Sequence, residues 1–342
     1  MMKKKLYAAL MIYSSAILLV ACHTKVNAPD VSDVKVQLNI RRFDQDLFSI
    51  DSANALPAVK QLFAKYPDFM QFYGEQILGI TAVTDSTQGF ADTLMMYTHY
   101  PDFRQLFDSV QNHFPNMTVV EPQLTKAFQY FKHYYPQKKI PEVITYINGP
   151  RAFTLGDTSM DLLCIGIDNY MGASFPTYQT MGIPNYIIHK LAPPYMVSNC
   201  MQVMATGMYT FDPTGHNLLD LMIQNGKVLW FTKQMCPADA DSIITGFTDK
   251  DLQWCTANEK EIWKYFIDKQ LLYNTNPSTI STYVKEAPNT AGMPADAPGN
   301  IGTWVGWRIV CAYMQRHPEI TLDQLMRNNK SQDILVGSGY KP

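Results

Sequence analysis

The stretch that decides the fold is residues 185–235, NYIIHKLAPPYMVSNCMQVMATGMYTFDPTGHNLLDLMIQNGKVLWFTKQM. Its pattern predicts two long helices separated by a short turn. Apolar side chains recur through residues 195–209 at spacings of three and four, which is the period of a helix. Asp212 and Pro213 suit the cap and first turn of a second helix, because proline needs no amide partner there. The stretch therefore predicts a largely helical core.

Each of these two predicted helices has one polar side. A zinc peptidase would need two histidines four residues apart on the first helix, a glutamate between them, and an acidic ligand on the second. The first helix has no histidine, so the standard zinc site is missing from the sequence. The purely structural interpretation is that both are core helices, each with one hydrated side. The polar positions are Asn199, Gln202 and Thr206 on the first helix, and Asn217, Asp220, Gln224 and Lys227 on the second.

The composition indicates a globular protein with a large core. The chain has 342 residues, of which 46% are hydrophobic. Its formal net charge of -2 provides no broad basic surface, so nucleic acid is not expected as a partner. Only 17% of the residues are charged, which is below the usual quarter. Such a surface is typical of proteins that contact other proteins or lie near a membrane.

The six cysteines indicate neither a zinc site nor a redox motif, because no two of them form a CxxC pair. One of them, Cys22, belongs to the signal sequence described next. The other five are an odd number, so at least one thiol is expected to stay free even in an oxidising compartment. Buried thiols that pack like small hydrophobic side chains are the default expectation. These five are Cys164, Cys200, Cys236, Cys255 and Cys311.

The N-terminus predicts export and lipid attachment. Residues 1–21 combine three lysines with a short apolar run, as in a signal peptide. The ending Leu19-Val20-Ala21-Cys22 resembles the lipobox of bacterial lipoproteins, in which the cysteine becomes the acylated first residue of the cleaved protein. An ordinary signal peptide with an incidental cysteine is the alternative. Residues 22–35 are polar and lack periodicity, so they are expected to tether the lipidated Cys22 to the domain.

Residues 36–342 are predicted to form one α+β domain that is mostly helical. Short β-branched segments at residues 142–149, 153–155 and 160–167 predict a small sheet packed on helices. Arg42 and Asp44, near the start of the domain, are either functional residues or, as is more common for such a pair, a surface or interface ion pair of small net value. Residues 274–300 are rich in proline, asparagine and threonine, so they predict a long loop that is either a lid, a partner-binding arm or a pinned surface loop.

Several motifs together resemble one protein family, the gliding-motility lipoproteins of the GldB type from Bacteroidetes. That family is distantly similar to predicted zinc-dependent proteases, which implies a zinc-protease-like (gluzincin-like) domain. In those proteases a glutamate precedes a glycine on the second helix, where this chain has Asn225 before Gly226. The resemblance covers nearly everything after Cys22 and is carried by Arg42-Phe43-Asp44, Asp168-Asn169-Tyr170-Met171-Gly172, Leu219-Asp220-Leu221-Met222-Ile223, Trp254-Cys255, and Gly302-Thr303-Trp304-Val305-Gly306-Trp307-Arg308-Ile309-Val310.

The resemblance implies an accessory role in gliding motility and the linked type IX secretion system. We expect no catalytic residue, no metal and no cofactor, because neutral amides and hydroxyls bind zinc poorly. The expected partners are membrane lipid, through the acyl chains on Cys22, and envelope proteins of the motility and secretion machinery. Acidic residues are missing directly after Cys22, which favours a periplasm-facing anchor over surface display. The vestigial cleft is expected to consist of Asn199, Gln202, Thr206, His216, Asp220 and Asn225.

Two enzyme hypotheses remain as alternatives. The first is a zinc hydrolase with ligands that are scattered in the sequence, namely His189, His216 and Asp220. His216 and Asp220 are four residues apart, so they share a helix face if the second helix begins early enough. The second is a serine hydrolase, but the chain has no GxSxG motif.

Overall fold

Four short strands form one mixed sheet in the computed structural model, which describes residues 28–149, 154–157 and 161–342. The spatial order is β1-β2-β4-β3, in which β1, β2 and β4 are parallel and β3 is antiparallel to β4. In β2 and β4 almost every residue is buried, as expected of parallel strands that are covered on both faces. The strands are β1 (Ile40–Arg42), β2 (Glu142–Tyr146), β3 (Thr154–Asp157) and β4 (Leu162–Gly166).

Helices surround this sheet, so the prediction of a mostly helical α+β domain with a small sheet is confirmed. Before β2, prolines at residues 67, 101 and 122 lie in the first turns of helices, where proline is tolerated. These helices are α1 (Phe43–Phe48), α2 (Ala55–Lys65), α3 (Pro67–Phe72), α4 (Gln88–His99), α5 (Pro101–His113) and α6 (Glu121–Tyr134).

The helices that follow β4 build the larger part of the core. Asn258 separates α12 from α13, and a helix occupies part of the predicted loop at residues 274–300. The helices are α7 (Pro176–Thr180), α8 (Asn185–Ile188), α9 (Pro193–Met208), α10 (Leu218–Met235), α11 (Asp241–Thr245), α12 (Asp249–Ala257), α13 (Glu259–Asp268), α14 (Pro277–Val284), α15 (Ile301–Arg316), α16 (Leu322–Arg327) and α17 (Ser331–Ser338).

Helices α10 and α15 form the centre of the domain. Most of α10 is buried on all sides, which is typical of a helix enclosed by others. The two backbones touch at Gly226 and Gly306. A Cβ atom built on Gly306 would lie 1.8 Å from the carbonyl oxygen of Met222, so only glycine fits there.

Helix α10 begins later than the sequence predicted. Asp212 accepts a hydrogen bond from the Thr214 amide in the preceding turn, while Asn217 caps the helix. The Asn217 side chain accepts from the amide of Asp220, and the Asp220 carboxylate accepts from the amide of Asn217. This reciprocal pair, a capping box, satisfies two amides that the helix leaves unpaired, which explains why it outcompetes Asp212-Pro213.

The predicted tether is shorter than residues 22–35. Val31 is buried with 1% of its surface exposed, and the carbonyl of Val34 accepts a 2.9 Å hydrogen bond from Gln129. Residues 31–39 therefore run along the domain before β1 begins at Ile40. The signal peptide and Cys22 lie outside the described residues.

All five cysteines in the described part of the chain are buried, as expected of thiols that pack like small hydrophobic side chains. Burial raises the pKa of the Cys236, Cys255 and Cys311 thiols above the ordinary value. Such thiols stay protonated at neutral pH, so they pack as apolar groups and are poor nucleophiles.

Candidate functional site

Polar side chains gather where the three parallel strands end. The carboxyl ends of β1, β2 and β4 lie at one edge of the sheet, because the strands run in the same direction. Asp44 follows β1, Asn148 follows β2 and Asp168 follows β4. Ligands of sheets with parallel strands bind at this edge, so it is the first place to look for a site. We call Asp44, Asp168, Tyr73, Tyr97 and Tyr146 the carboxyl-edge cluster.

Asp44 is a buried carboxylate whose hydrogen bonds are satisfied. It is 1% exposed and accepts from Arg42 at 2.7 and 3.0 Å, from Gln111 at 3.1 Å and from the Thr145 hydroxyl. The prediction of a surface ion pair between Arg42 and Asp44 is therefore wrong. Several donors compensate the desolvated charge, which makes removal of one partner far more costly than at a surface pair.

Asp168 is buried without equivalent compensation. It is 0% exposed, and its Oδ2 atom accepts one long hydrogen bond of 3.4 Å from the Asn148 amide. Within the described part of the chain, its Oδ1 atom has no hydrogen-bond partner. Burial raises the pKa of Asp168 to about 7, although the backbone amides of Asn148, Asp168 and Gly149 act in the opposite direction, and the charge of Asp44 adds to the increase. A carboxyl group with this pKa can hold or release a proton near neutral pH.

Three tyrosines surround Asp168. The hydroxyls of Tyr73 and Tyr97 both donate to the carbonyl oxygen of Ile147, at 3.1 and 2.7 Å. The Tyr146 hydroxyl is buried, and no partner for it is found in the described residues. Burial raises the pKa of Tyr146, and the Asp168 charge adds to this shift. The cluster therefore places a buried carboxyl group, with a pKa near neutral, close to three largely buried tyrosine side chains.

Replacement of Asp168 by Asn is expected to raise stability at pH 8. The pKa of Asp168 is about 7 in the folded protein and 3.8 in the unfolded chain, so folding favours the protonated carboxyl group. The contribution of this group to the free energy of unfolding is complete below about pH 4 and is lost as the pH rises through about 7. The difference of about 3 pKa units corresponds to about 4 kcal/mol. We expect Asp168→Asn to raise the melting temperature at pH 8 by about 5 °C and to change it little at pH 4.

The measurement is thermal unfolding by circular dichroism from pH 4 to 8. Asp296→Asn is the matched control, because Asp296 is exposed and the same charge is removed. Parallel pH profiles for the wild type and Asp168→Asn would show that this carboxyl group does not set the pH dependence.

The polar side chains of α9, the first of the two helices predicted from residues 185–235, contact different neighbours. Asn199 donates to the Tyr170 hydroxyl at 3.1 Å, and Gln202 donates to the carbonyl of Ile244 at 3.1 Å. Thr206 is exposed and bonds back to the carbonyl of Gln202 in its own helix. The first two side chains therefore tie α9 to the turn after β4 and to α11.

The predicted cleft residues on and near α10 form hydrogen bonds within the fold. His216 lies 3.1 Å from Asp220, whose carboxylate is also engaged in the capping box. Asn225 donates to the Thr303 hydroxyl on α15 at 2.8 Å. Of the six predicted cleft residues, the structure thus brings His216 and Asp220 into direct contact, while Asn199, Gln202 and Asn225 each bind a different element.

The three scattered ligands of the alternative zinc hypothesis are not assembled. His189 bonds through Nε2 to the carbonyl of Gly246 at 3.0 Å, whereas His216 packs on Phe211 and Asp220. Among the described residues, no three His, Cys, Asp or Glu side chains are grouped so that they could hold a metal ion.

Sequence reasoning missed the carboxyl-edge cluster. Asp168 was visible as the residue that ends an apolar strand, and Asp44 as part of a short polar pair. The signal that would have joined them is parallel strand pairing, because it places residues that follow different strands at one edge. That pairing could not be read from residues 36–40 alone, since β1 begins at Ile40.

The comparisons with known proteins give one family. A family model described as gliding motility protein GldB matches residues 24–342. No curated protein and no solved structure matches the chain.

Proposed function

Because the chain belongs to the gliding motility protein GldB family, we propose that it is an envelope lipoprotein that acts as a non-catalytic scaffold for the motility machinery and the linked type IX secretion system. Its partners in this role are membrane lipid and envelope proteins. The protein-binding surfaces lie on the domain, and the lipid anchor keeps them at the membrane.

The anchor in this proposal is an acylated Cys22 in a periplasm-facing orientation. The lipobox Leu19-Val20-Ala21-Cys22 and the family description support it. Several acyl chains on one cysteine give stable attachment, unlike a single chain. In the described part of the chain, no helix is long and apolar enough to cross a bilayer.

A non-catalytic role is supported by the hydrogen bonds that the polar side chains of α9 and α10 make within the fold. In a peptidase these positions would face a metal and a substrate. Here Asn199 and Gln202 join α9 to other elements, and Asn225 joins α10 to α15. Asp220 stabilises the helix start through its capping box. The relation to zinc proteases is thus proposed as one of ancestry, with the old ligand positions now used for packing.

Zinc analysis of the full-length protein tests this role. After purification in detergent and dialysis against zinc-free buffer, we expect less than about 0.1 zinc per chain, because amides and hydroxyls are poor zinc ligands. The alternative, a zinc hydrolase, is favoured by the contact between His216 and Asp220. It predicts about one zinc per chain, which His216→Ala would abolish.

His113→Ala is the matched control for this measurement. His113 is exposed at the end of α5 and packs on Phe114. Zinc that is retained in His113→Ala and lost in His216→Ala would overturn the non-catalytic proposal.

A further inference from the structure

A cavity of about 340 Å³ opens beside the start of α15. It lies between α8, the first turn of α12 and the loop at residues 285–300. Its volume is at the lower end of the range for ligand pockets. The lining includes Tyr186, His189, Phe247, Asp251, Glu286 and Asn300.

The loop that forms one wall of this cavity is pinned. The Thr290 hydroxyl donates to the carbonyl of Pro298 at 2.6 Å, and the Thr290 amide donates to Ala297 at 3.2 Å. A Cβ atom on Gly299 would lie 2.1 Å from the carbonyl oxygen of Ala287, so the two ends of the loop touch. A loop closed in this way holds its shape, so the wall is preformed.

Asn300 supplies an acceptor that the fold does not use. Its backbone is in the left-handed region with φ of 61°, which asparagine tolerates better than most residues. Its Nδ2 atom donates to Glu286 at 3.4 Å, which orients the side chain. The Oδ1 atom is buried, and the described residues provide no partner for it. A buried acceptor without a donor is costly, so a shift of the Asn300 side chain that brings Oδ1 to the cavity would let a ligand N–H group relieve this cost.

The charges at the cavity favour a cation. Asp251 and Glu286 line it, and Lys190 pairs with Glu286 at 2.7 Å. Two carboxylates and one ammonium group leave one net negative charge. Tyr186 and Phe247 add aromatic surface, on which a guanidinium group stacks favourably.

We propose that this cavity binds an arginine side chain of a protein partner. Arginine fits better than lysine, because its planar fork offers five donors to acceptors that lie apart, such as Glu286 and the Asn300 carbonyl. Arginine is also among the residues that contribute most at protein interfaces. The inference rests on the scaffold role proposed above and deepens it by naming the chemistry of the partner.

Fluorescence anisotropy with a labelled Gly-Gly-Arg-Gly-Gly peptide tests the proposal on the full-length protein in nonionic detergent. The control peptide carries citrulline, which has the same shape without the charge. We expect saturable binding of the arginine peptide and at least about fivefold weaker binding of the citrulline peptide, because the neutral citrulline cannot form a charge pair with Glu286.

Two variants in the cavity shift the affinity in opposite directions. Glu286→Gln is expected to weaken binding at least about threefold, since the carboxylate is removed while Lys190 remains. Asn300→Asp is expected to strengthen it about threefold, because Asp tolerates the left-handed backbone and adds a charge at the start of a helix. Asp296→Asn, in the same loop but outside the lining, should leave the affinity unchanged.

Equal binding of the two peptides, or no difference between Glu286→Gln and Asp296→Asn, would overturn the arginine site. Such a result would leave the envelope role standing, since that role is judged by membrane fractionation and by colony spreading of the host. Loss of the envelope role with intact arginine binding would be the opposite outcome, so the two failures are distinguishable.

Discussion

Gly306→Ala is expected to lower the melting temperature of the domain by at least about 10 °C. The new methyl carbon would lie 1.8 Å from the carbonyl oxygen of Met222 on α10, well inside the contact distance. Gly226 faces the same contact, since its own Cβ would lie 2.4 Å from the backbone of Gly306. Because both partners are backbone, no side chain can rotate away, and the helices must separate. Overpacking of a core costs about 1 to 3 kcal/mol where side chains yield, so the cost here is expected to be larger.

Gly89→Ala is the matched control for this variant. Gly89 also lies inside a helix, α4, but nothing is within 4 Å of the position a Cβ would take. Alanine is the better helix former, so we expect a gain of about 0.5 to 1 kcal/mol. Both variants are measured by thermal unfolding at one pH. A melting temperature of Gly306→Ala within about 2 °C of the wild type would show that α10 and α15 do not meet as closely as described.

Cys22→Ser is expected to move the protein from the membrane fraction to the soluble fraction of its host. The acyl chains are the proposed attachment, and serine cannot carry them by the lipoprotein route. We expect at least about a tenfold loss of membrane-bound protein, because lipid anchoring by several chains is otherwise stable. The measurement is immunoblotting of membranes that have been washed with alkaline carbonate, which strips proteins bound only through other proteins.

The neighbouring variant His23→Ser is the control, since it changes the residue next to the lipobox and keeps the cysteine. It should fractionate like the wild type. If Cys22→Ser stayed in the washed membranes, the anchor would have to lie elsewhere in the chain.

The helices were readable from the sequence where local signals agreed. Pro101 and Pro115 separate helical runs in the sequence and so predict α5, and the glycine-rich segment before residue 304 predicts a helix over residues 304–315, which is most of α15. The start of a helix was not readable where two local signals competed. Asp212-Pro213 and Asn217 can each start a helix, and the capping box with Asp220 decides between them only after the side chains are placed.

The candidate sites were less readable, because they depend on residues that are far apart in the chain. Nothing local marks Asp44 as buried: its donors Gln111 and Thr145 are 67 and 101 positions away. The same holds for Asp168, whose pKa is raised by its burial in the fold and by the charge of Asp44. The arginine pocket depends on the closed loop at residues 285–300, whose ends meet only at Ala287 and Gly299. Its composition left open a lid, a partner-binding arm and a pinned surface loop, and the hydrogen bond of Thr290 favours the pinned loop.

The contact between α10 and α15 also constrains when the domain can form. Asn225 and Thr303 are 78 positions apart, and four other helices lie between them in the chain. Closing a segment of that length costs about 4 kcal/mol of chain entropy, and the contact between the helices must offset this cost. A chain that emerges from its N-terminus therefore has no central helix pair until its last tenth or so has arrived. Such a nascent chain lacks complete tertiary packing, which suits a protein whose proposed destination lies across a membrane.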